Sequence, residues 1–242
     1  MSGDARTIER LVPDQLSDTD GTGRATLELH LERYEFAAKH ARPGRLLDMA
    51  CGVGYGTRLL ADRRSDISDA VGVDLSDDAV AYARSHYAHP TVRFDVGDAL
   101  SYGDEAGFDT VVSLETVEHV KQPAALLERL VRLLRPGGIL VASVPTTPST
   151  DVNPHHLHDF TEASFRAMLR PHGVEEVTCL RQVQPYQLFA ALQRTERRMQ
   201  DLRPNMFRYY AGHPGAAMLR LWSTLRFGFT NRYITVAFQK RA

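Results

Sequence analysis

The segment Leu46-Leu47-Asp48-Met49-Ala50-Cys51-Gly52-Val53-Gly54-Tyr55-Gly56 decides the fold class. A short apolar run, suited to a strand buried on both faces, passes into a glycine-rich turn and then into helical spacing from Thr57. Glycines at such a junction let the backbone approach a ligand closely. Two details separate the turn from a dinucleotide-binding one. The third glycine of that fingerprint belongs three residues after Gly54, where Thr57 stands. Asp48 also sits where strand meets turn, and a carboxylate there repels a pyrophosphate but suits a ligand carrying an ammonium or sulfonium group.

Outward from this segment, short apolar strands alternate with helical patterns. The strand candidates are 45–49, 70–73, 92–94, 108–114 and 139–144, and the helix candidates between them are 57–64, 77–86 and 123–134. That alternation predicts a doubly wound α/β fold with a parallel sheet and right-handed crossovers. Pro136-Gly137-Gly138 reads as the turn that launches the fifth strand. Upstream, 25–40 has helical spacing, ended by Pro43-Gly44, after a loosely ordered lead-in over 1–23. Downstream come a helix over 161–169 capped by Thr161, a strand over 174–183, and a mostly helical stretch over 184–231 broken by Pro204, Gly212, Pro214 and Gly215. A last strand spans 232–239. The expected units are a lead-in and lid helix (1–44), a core (45–183), a helical insertion (184–231) and a final core strand (232–242).

The 242 residues are 43% hydrophobic and 24% charged, which suits one globular domain and excludes a disordered chain. No apolar run approaches the ~20 residues that span a bilayer, and residues 1–13 lack a signal-peptide core. Two cysteines, Cys51 and Cys179, make no disulfide framework, so a cytoplasmic setting is expected. The net charge of −1 argues against a nucleic-acid partner, but it conceals a division. Residues 1–180 carry 18 Lys and Arg against 28 Asp and Glu; residues 181–242 carry 11 against 2.

Acidic residues recur at the strand ends. Asp74 closes the second strand about 20 residues past the glycine turn, a position from which a carboxylate accepts ribose hydroxyls. Asp98 follows the third strand and is suited to an adenine amine. With the segment from Asp48 to Gly56, with Phe108-Asp109-Thr110-Val111-Val112 and with Leu134-Arg135-Pro136-Gly137-Gly138, the chain resembles the class I S-adenosylmethionine-dependent methyltransferases over roughly 25–180 and the final strand. The resemblance implies a Rossmann-like seven-stranded sheet whose antiparallel last strand inserts beside the fifth. It also implies S-adenosylmethionine as cofactor. Asp48, Gly52 and Gly54 would surround its methionine part, Asp74 its ribose and Asp98 its adenine, with Tyr34, Cys51, Leu75, Ala99 and Leu114 completing the cofactor site. The Arg33-Tyr34 pair of the leading helix is placed to close over it.

Methyl transfer is an in-line displacement, and a hydroxyl acceptor must also lose a proton to a base or to a metal-activated state. Two segments carry suitable groups: Glu115-Thr116-Val117-Glu118-His119 after the fourth strand, and Asn153-Pro154-His155-His156-Leu157-His158-Asp159-Phe160 after the fifth. On a helical turn Glu115, Glu118 and His119 would face one point. With His158 or His156 they resemble the metal site of ubiquinone-pathway and small-RNA 2′-O-methyltransferases, which implies Mg²⁺ or another divalent cation held by Glu115, Glu118, His119 and His158. Without a metal, His119, His156 and Glu115 are the catalytic candidates.

The segment 184–231 combines Arg194, Arg197, Arg198, Arg203, Arg208, Arg220 and Arg226 with aromatic residues. It reads as a solvated arginine face, as a lid recruiting an anionic or carrier- or nucleotide-linked acceptor, or as a homodimer interface through Met218, Leu219, Trp222 and Phe227. The expected function is O-methylation of a small-molecule acceptor. The alternatives are N-methylation of an amine, RNA 2′-O-methylation, and a non-methylating binder or cyclase on the same fold.

Overall fold

The computed structural model describes residues 11–16, 21–103, 107–185 and 202–241. Its centre is a seven-stranded sheet in the order β3-β2-β1-β4-β5-β7-β6. The strands are β1 (Gly44–Met49), β2 (Ile67–Asp74), β3 (Val92–Val96), β4 (Phe108–Ser113), β5 (Leu134–Pro145), β6 (Val174–Pro185) and β7 (Thr230–Lys240). The first five pair in parallel, and β7 runs antiparallel between β5 and β6. This is the topology expected above. Because β7 is reversed, its first residues lie at the same sheet edge as the ends of β1, β4 and β5; Tyr233 is opposite Pro145.

The period of two along β1 divides the core. Leu47 and Met49 face one layer, packing with Leu126, Leu127 and Leu130 of α4 (Pro123–Leu133) and Phe165 of α5 (Glu162–Leu169). Leu46 faces the other, with Ala37 and Ala38 of α1 (Gly21–His40) and Leu60 of α2 (Tyr55–Arg63). Caps set several boundaries. Ser76 accepts from the Ala79 amide to start α3 (Asp77–His86), and Thr161 forms a capping box with Ser164 before α5.

The structure departs from the expectations at the irregular ends. The lead-in is partly anchored: Leu11 and Val12 are buried, Val12 against Val53 and Ala79, and the Tyr82 hydroxyl donates to Asp14. Pro136-Gly137-Gly138 lies inside β5, where pairing with β4 shifts register. Strand β6 reaches Pro185 and β7 begins at Thr230, so ladder hydrogen bonds claim residues at both ends of the expected insertion. Between them lie α6 (Met206–Gly212) and α7 (Pro214–Phe227). Arg194, Arg197 and Arg198 fall outside the described residues. No helix among the described residues is long and apolar enough to cross a membrane.

Candidate active site

A cleft of about 820 Å³ opens over the edge of the sheet where the parallel strands end. That is the general ligand position of open α/β sheets, and the volume lies within the range of small-molecule sites. Its floor is the turn after β1. Gly52 (φ +57°) and Gly54 (φ +89°) adopt backbone conformations disfavoured for L side chains. A Cβ at Gly52 would meet nothing within 4 Å, so the turn presents bare backbone to the cleft. Cys51, Asp74, Leu75, Asp98, Ala99, Leu114 and Tyr34, all expected around a cofactor, line this space together.

Asp48 and Gly54 do not line it. The Asp48 side chain turns beneath the floor, 1% exposed, where Oδ2 accepts from Thr57 Oγ1 at 2.6 Å and from the Tyr34 hydroxyl at 3.3 Å. Burial pushes the Asp48 carboxyl up to about 7 against these two hydrogen bonds, with the charge of Asp74 adding to the rise. A Cβ on Gly54 would collide with Ala83 and Phe94, so this glycine permits packing under the turn. Burial and the nearby charges of Asp48 and Asp74 also hold the Cys51 thiol well above its ordinary range, which makes it an inert wall residue. Asp74 ties the turn to β2: its carboxylate accepts from the Gly52 amide at 2.9 Å and the Ser76 amide at 3.0 Å.

Arg33 is 1% exposed on α1 and reaches three strand ends. Its Nε donates to Gln182 Oε1 at 2.8 Å, Nη1 lies 3.9 Å from Glu115 Oε1, and the guanidinium sits 4.5 Å from the Tyr233 ring centroid. Arg33 was readable in the sequence beside Tyr34. Gln182 and Tyr233 carried no signal, because only the β6–β7 register brings them to this edge.

The expected metal set is not assembled. Glu115 has a positive φ of +51°, and only Val117–His119 forms a helical turn, a 3-10 one, so Glu115 does not share a helical face with Glu118 and His119. Instead Glu115 is held by Ser143: its amide donates to Ser143 Oγ at 2.9 Å, and that hydroxyl donates to Glu115 Oε1 at 2.7 Å. His158 is also withdrawn, its Nε2 donating to the Val120 carbonyl at 3.0 Å while the Leu157 amide donates to the Glu118 carbonyl. These bonds strap the loop after β5 to the turn after β4. They leave His156 near His119, with the two rings edge to face at 4.7 Å.

Glu118, His119 and His156 form the resulting cluster, with ligand-type atoms all within 4.8 Å of one another. Glu118 is fully buried and its Oε1 lies 4.0 Å from His119 Nε2. His119 Nδ1 is 3.1 Å from the His155 carbonyl, which can only accept, so the neutral ring carries its lone pair on Nε2. His156 Nδ1 lies 2.6 Å from Ser149 Oγ.

The far wall comes from α7 and the start of β7. Arg220 donates to both carboxylate oxygens of Asp151, itself 2% exposed, and to the Pro148 carbonyl; the Tyr210 hydroxyl donates to the same carboxylate at 2.7 Å. Arg203 donates to the carbonyls of Thr150 and Asp151. The arginines read as possible substrate recruiters are in these two cases fasteners to the loop after β5, Arg220 from α7 and Arg203 from the segment before α6. On α7 the outward stripe is apolar, with Met218, Leu221, Trp222 and Leu225 all exposed.

Residues 47–142 match the family described as Methyltransferase domain. The chain is 29% identical over 192 residues to a ubiquinone biosynthesis O-methyltransferase of Xanthomonas campestris, covering 76% of each chain. It is 34% identical over 151 residues to phosphoethanolamine N-methyltransferase 3 of Arabidopsis thaliana, covering 56% of this chain but only 30% of the longer plant protein. Its fold is similar to that of the N-methyltransferase NodS of Bradyrhizobium japonicum solved with S-adenosylhomocysteine (TM-score 0.63, 15% identity, 98% and 96% coverage). The match to the methyltransferase-domain family thus runs from β1 into β5, within a Rossmann-like seven-stranded sheet.

Proposed function

We propose that this chain transfers a methyl group from S-adenosylmethionine to a hydroxyl of a small-molecule acceptor, with His119 as general base. When bound, the cofactor supplies an electrophilic sulfonium methyl group. The fit to the cofactor rests on bare backbone at Gly52, the carboxylates of Asp74 and Asp98 suited to ribose and adenine, and the walls formed by Tyr34, Cys51, Leu75, Ala99 and Leu114. Asp48 acts from below, keeping Tyr34 and Thr57 in register with the turn.

The single observation that carries the base assignment is the hydrogen bond from His119 Nδ1 to the His155 carbonyl, which leaves Nε2 as the basic nitrogen of a cleft-lining ring, 4.0 Å from the Glu118 carboxylate. A protonated Nε2 is then stabilised by the carboxylate of Glu118. Glu115, engaged with Ser143 and near Arg33, serves as a positioning residue. α6 and α7, fastened to the loop after β5, form the acceptor-side lid, and the apolar stripe of α7 suits a second copy of the chain.

One observation favours a second reading. The donor set of Glu118, His119 and His156 fits a divalent ion of the Mn²⁺ to Zn²⁺ series better than Mg²⁺, which prefers oxygen. Such an ion would lower the pKa of an acceptor hydroxyl.

Labelled methyl transfer into a metabolite extract, before and after chelation, separates the readings. General-base catalysis retains activity after chelation and loses it, by about 10²–10⁴-fold, in His119→Ala. Metal assistance loses activity on chelation and regains it with Mn²⁺ or Zn²⁺. An amine acceptor, which needs only to be uncharged, leaves His119→Ala near wild type. Label appearing in RNA would move the acceptor to a 2′-hydroxyl. Cofactor binding without labelled product would refute transfer and favour a binder or cyclase.

A further inference from the structure

The cleft is electrically two-ended. Asp74 and Asp98 stand at the ends of β2 and just past β3, while Asn231, Arg232 and Arg220 line the opposite side. Strand β7 is three places from β1 in the sheet, roughly 14 Å at ~4.8 Å per strand. An acceptor meeting a methyl group above β1 and β4 can therefore extend its far end to the first residues of β7.

The cleft arginines differ in how their charge is used. Arg220 is committed to the buried carboxylate of Asp151. Arg33 is hydrogen-bonded to Gln182 and lies near Glu115. Arg232 has, among the described residues, no carboxylate at ion-pair distance and no side-chain hydrogen bond. Its backbone is fixed, with the amide donating to Thr147 Oγ1 at 2.9 Å and the carbonyl accepting from the Thr146 amide at 2.7 Å. Its guanidinium carbon lies 4.6 Å from the Phe227 ring centroid. Aromatic stacking covers one face of the planar cation and limits its motion, while the in-plane N–H groups stay available to a fork of acceptors.

We infer that Arg232 is the anchor for an anionic group, a carboxylate or a phosphate, on the methyl acceptor. The inference deepens the methyltransferase reading above and rests on it. A bidentate anion would satisfy the edge of the guanidinium and fix the acceptor's distance from the reacting end of the cleft, making Arg232 a specificity residue rather than a catalytic one.

The test uses the full chain loaded with S-adenosylhomocysteine. The affinity of wild type, Arg232→Gln and Arg232→Lys for that ligand is measured first. Inorganic phosphate and benzoate are then titrated separately into each loaded protein at low ionic strength. At least one anion is expected to bind wild type, at least about tenfold more weakly to Arg232→Gln, and at an intermediate level to Arg232→Lys. Cofactor-product affinity should stay within about twofold across the three proteins. Preference for phosphate assigns a phosphorylated acceptor, and preference for benzoate a carboxylate. Neither anion binding wild type, or equal anion binding by wild type and Arg232→Gln, overturns the anchor. If Arg232→Gln does not fold, wild type against Arg232→Lys decides: equal anion affinities overturn the proposal and weaker binding supports it. Wild type that fails to bind S-adenosylhomocysteine overturns the methyltransferase reading itself, a failure visible before any anion is added.

Discussion

Gly56 is the second residue of α2, where an alanine would ordinarily stabilise the helix by about 1 kcal/mol. Here the sign should reverse. A Cβ built on Gly56 lies 1.9 Å from Tyr34 Cζ, 2.1 Å from Cε2 and 2.3 Å from Cε1. The Tyr34 ring has little room to retreat: it is buried, packs edge-on to Tyr55 at 5.9 Å between centroids, and its hydroxyl reaches Asp48. Overpacking costs about 1–3 kcal/mol, and an overlap with three ring atoms belongs at about 2–3, so the net loss for Gly56→Ala is roughly 1–2 kcal/mol after the helix gain. Leucine lacks the Cε and Cζ atoms in conflict. In a Tyr34→Leu background the same substitution should therefore be neutral or stabilising by up to ~1 kcal/mol, a coupling of roughly 1–3 kcal/mol. Urea unfolding of the four proteins, compared at constant m-value, measures this cycle. An equal loss from Gly56→Ala in both backgrounds would refute the steric account of this glycine.

Other consequences follow from the buried charges. The Asp48 carboxyl, pushed up to about 7 from an ordinary 3.8, favours the protonated form in the folded state. Its contribution is complete below about pH 4 and is lost as pH rises through 7, a decline of about 4 kcal/mol at 1.36 kcal/mol per pH unit. Urea midpoints from pH 4 to 8 should show that slope in wild type and lack it in Asp48→Asn. Arg220→Ala strands the buried Asp151 carboxylate and should cost about 3–5 kcal/mol in thermal or urea unfolding, with Asp151→Asn recovering part of the loss. Once an anionic acceptor is in hand, its KM should rise with salt while that of S-adenosylmethionine changes little; a salt-independent acceptor KM would contradict steering by the basic end.

The sheet was legible because its signals are local. The apolar runs of β1 and β4, the turn at Gly52 and Gly54, and the cap at Thr161 each restrict their own few residues. Topology at the antiparallel end came from resemblance, since nothing local in 232–239 tells a strand which neighbours it will join. The residues expected around a cofactor were read from strand ends, from the leading helix and from the resemblance; Tyr34, Asp74, Asp98 and their neighbours line one cleft. The acceptor side did not follow, because it depends on how loops cross. Spacing left His156 and His158 equivalent; the hydrogen bond of His158 to Val120 across two loops distinguishes them. Helical spacing grouped Glu115 with Glu118 and His119, but a left-handed residue at 115 breaks that period. The buried position of Asp48 was equally hidden, since a strand-end carboxylate reads the same whether it faces ligand or packs beneath a turn.

Calorimetric titration of the purified chain with S-adenosylmethionine, in wild type and Asp74→Asn, tests the central assignment most directly. One-site binding by wild type is expected, with affinity lower by at least about tenfold in the variant, because the proposed ribose partner Asp74 also holds the Gly52 amide. No heat above dilution in wild type, or equal affinity in the two proteins, would contradict it.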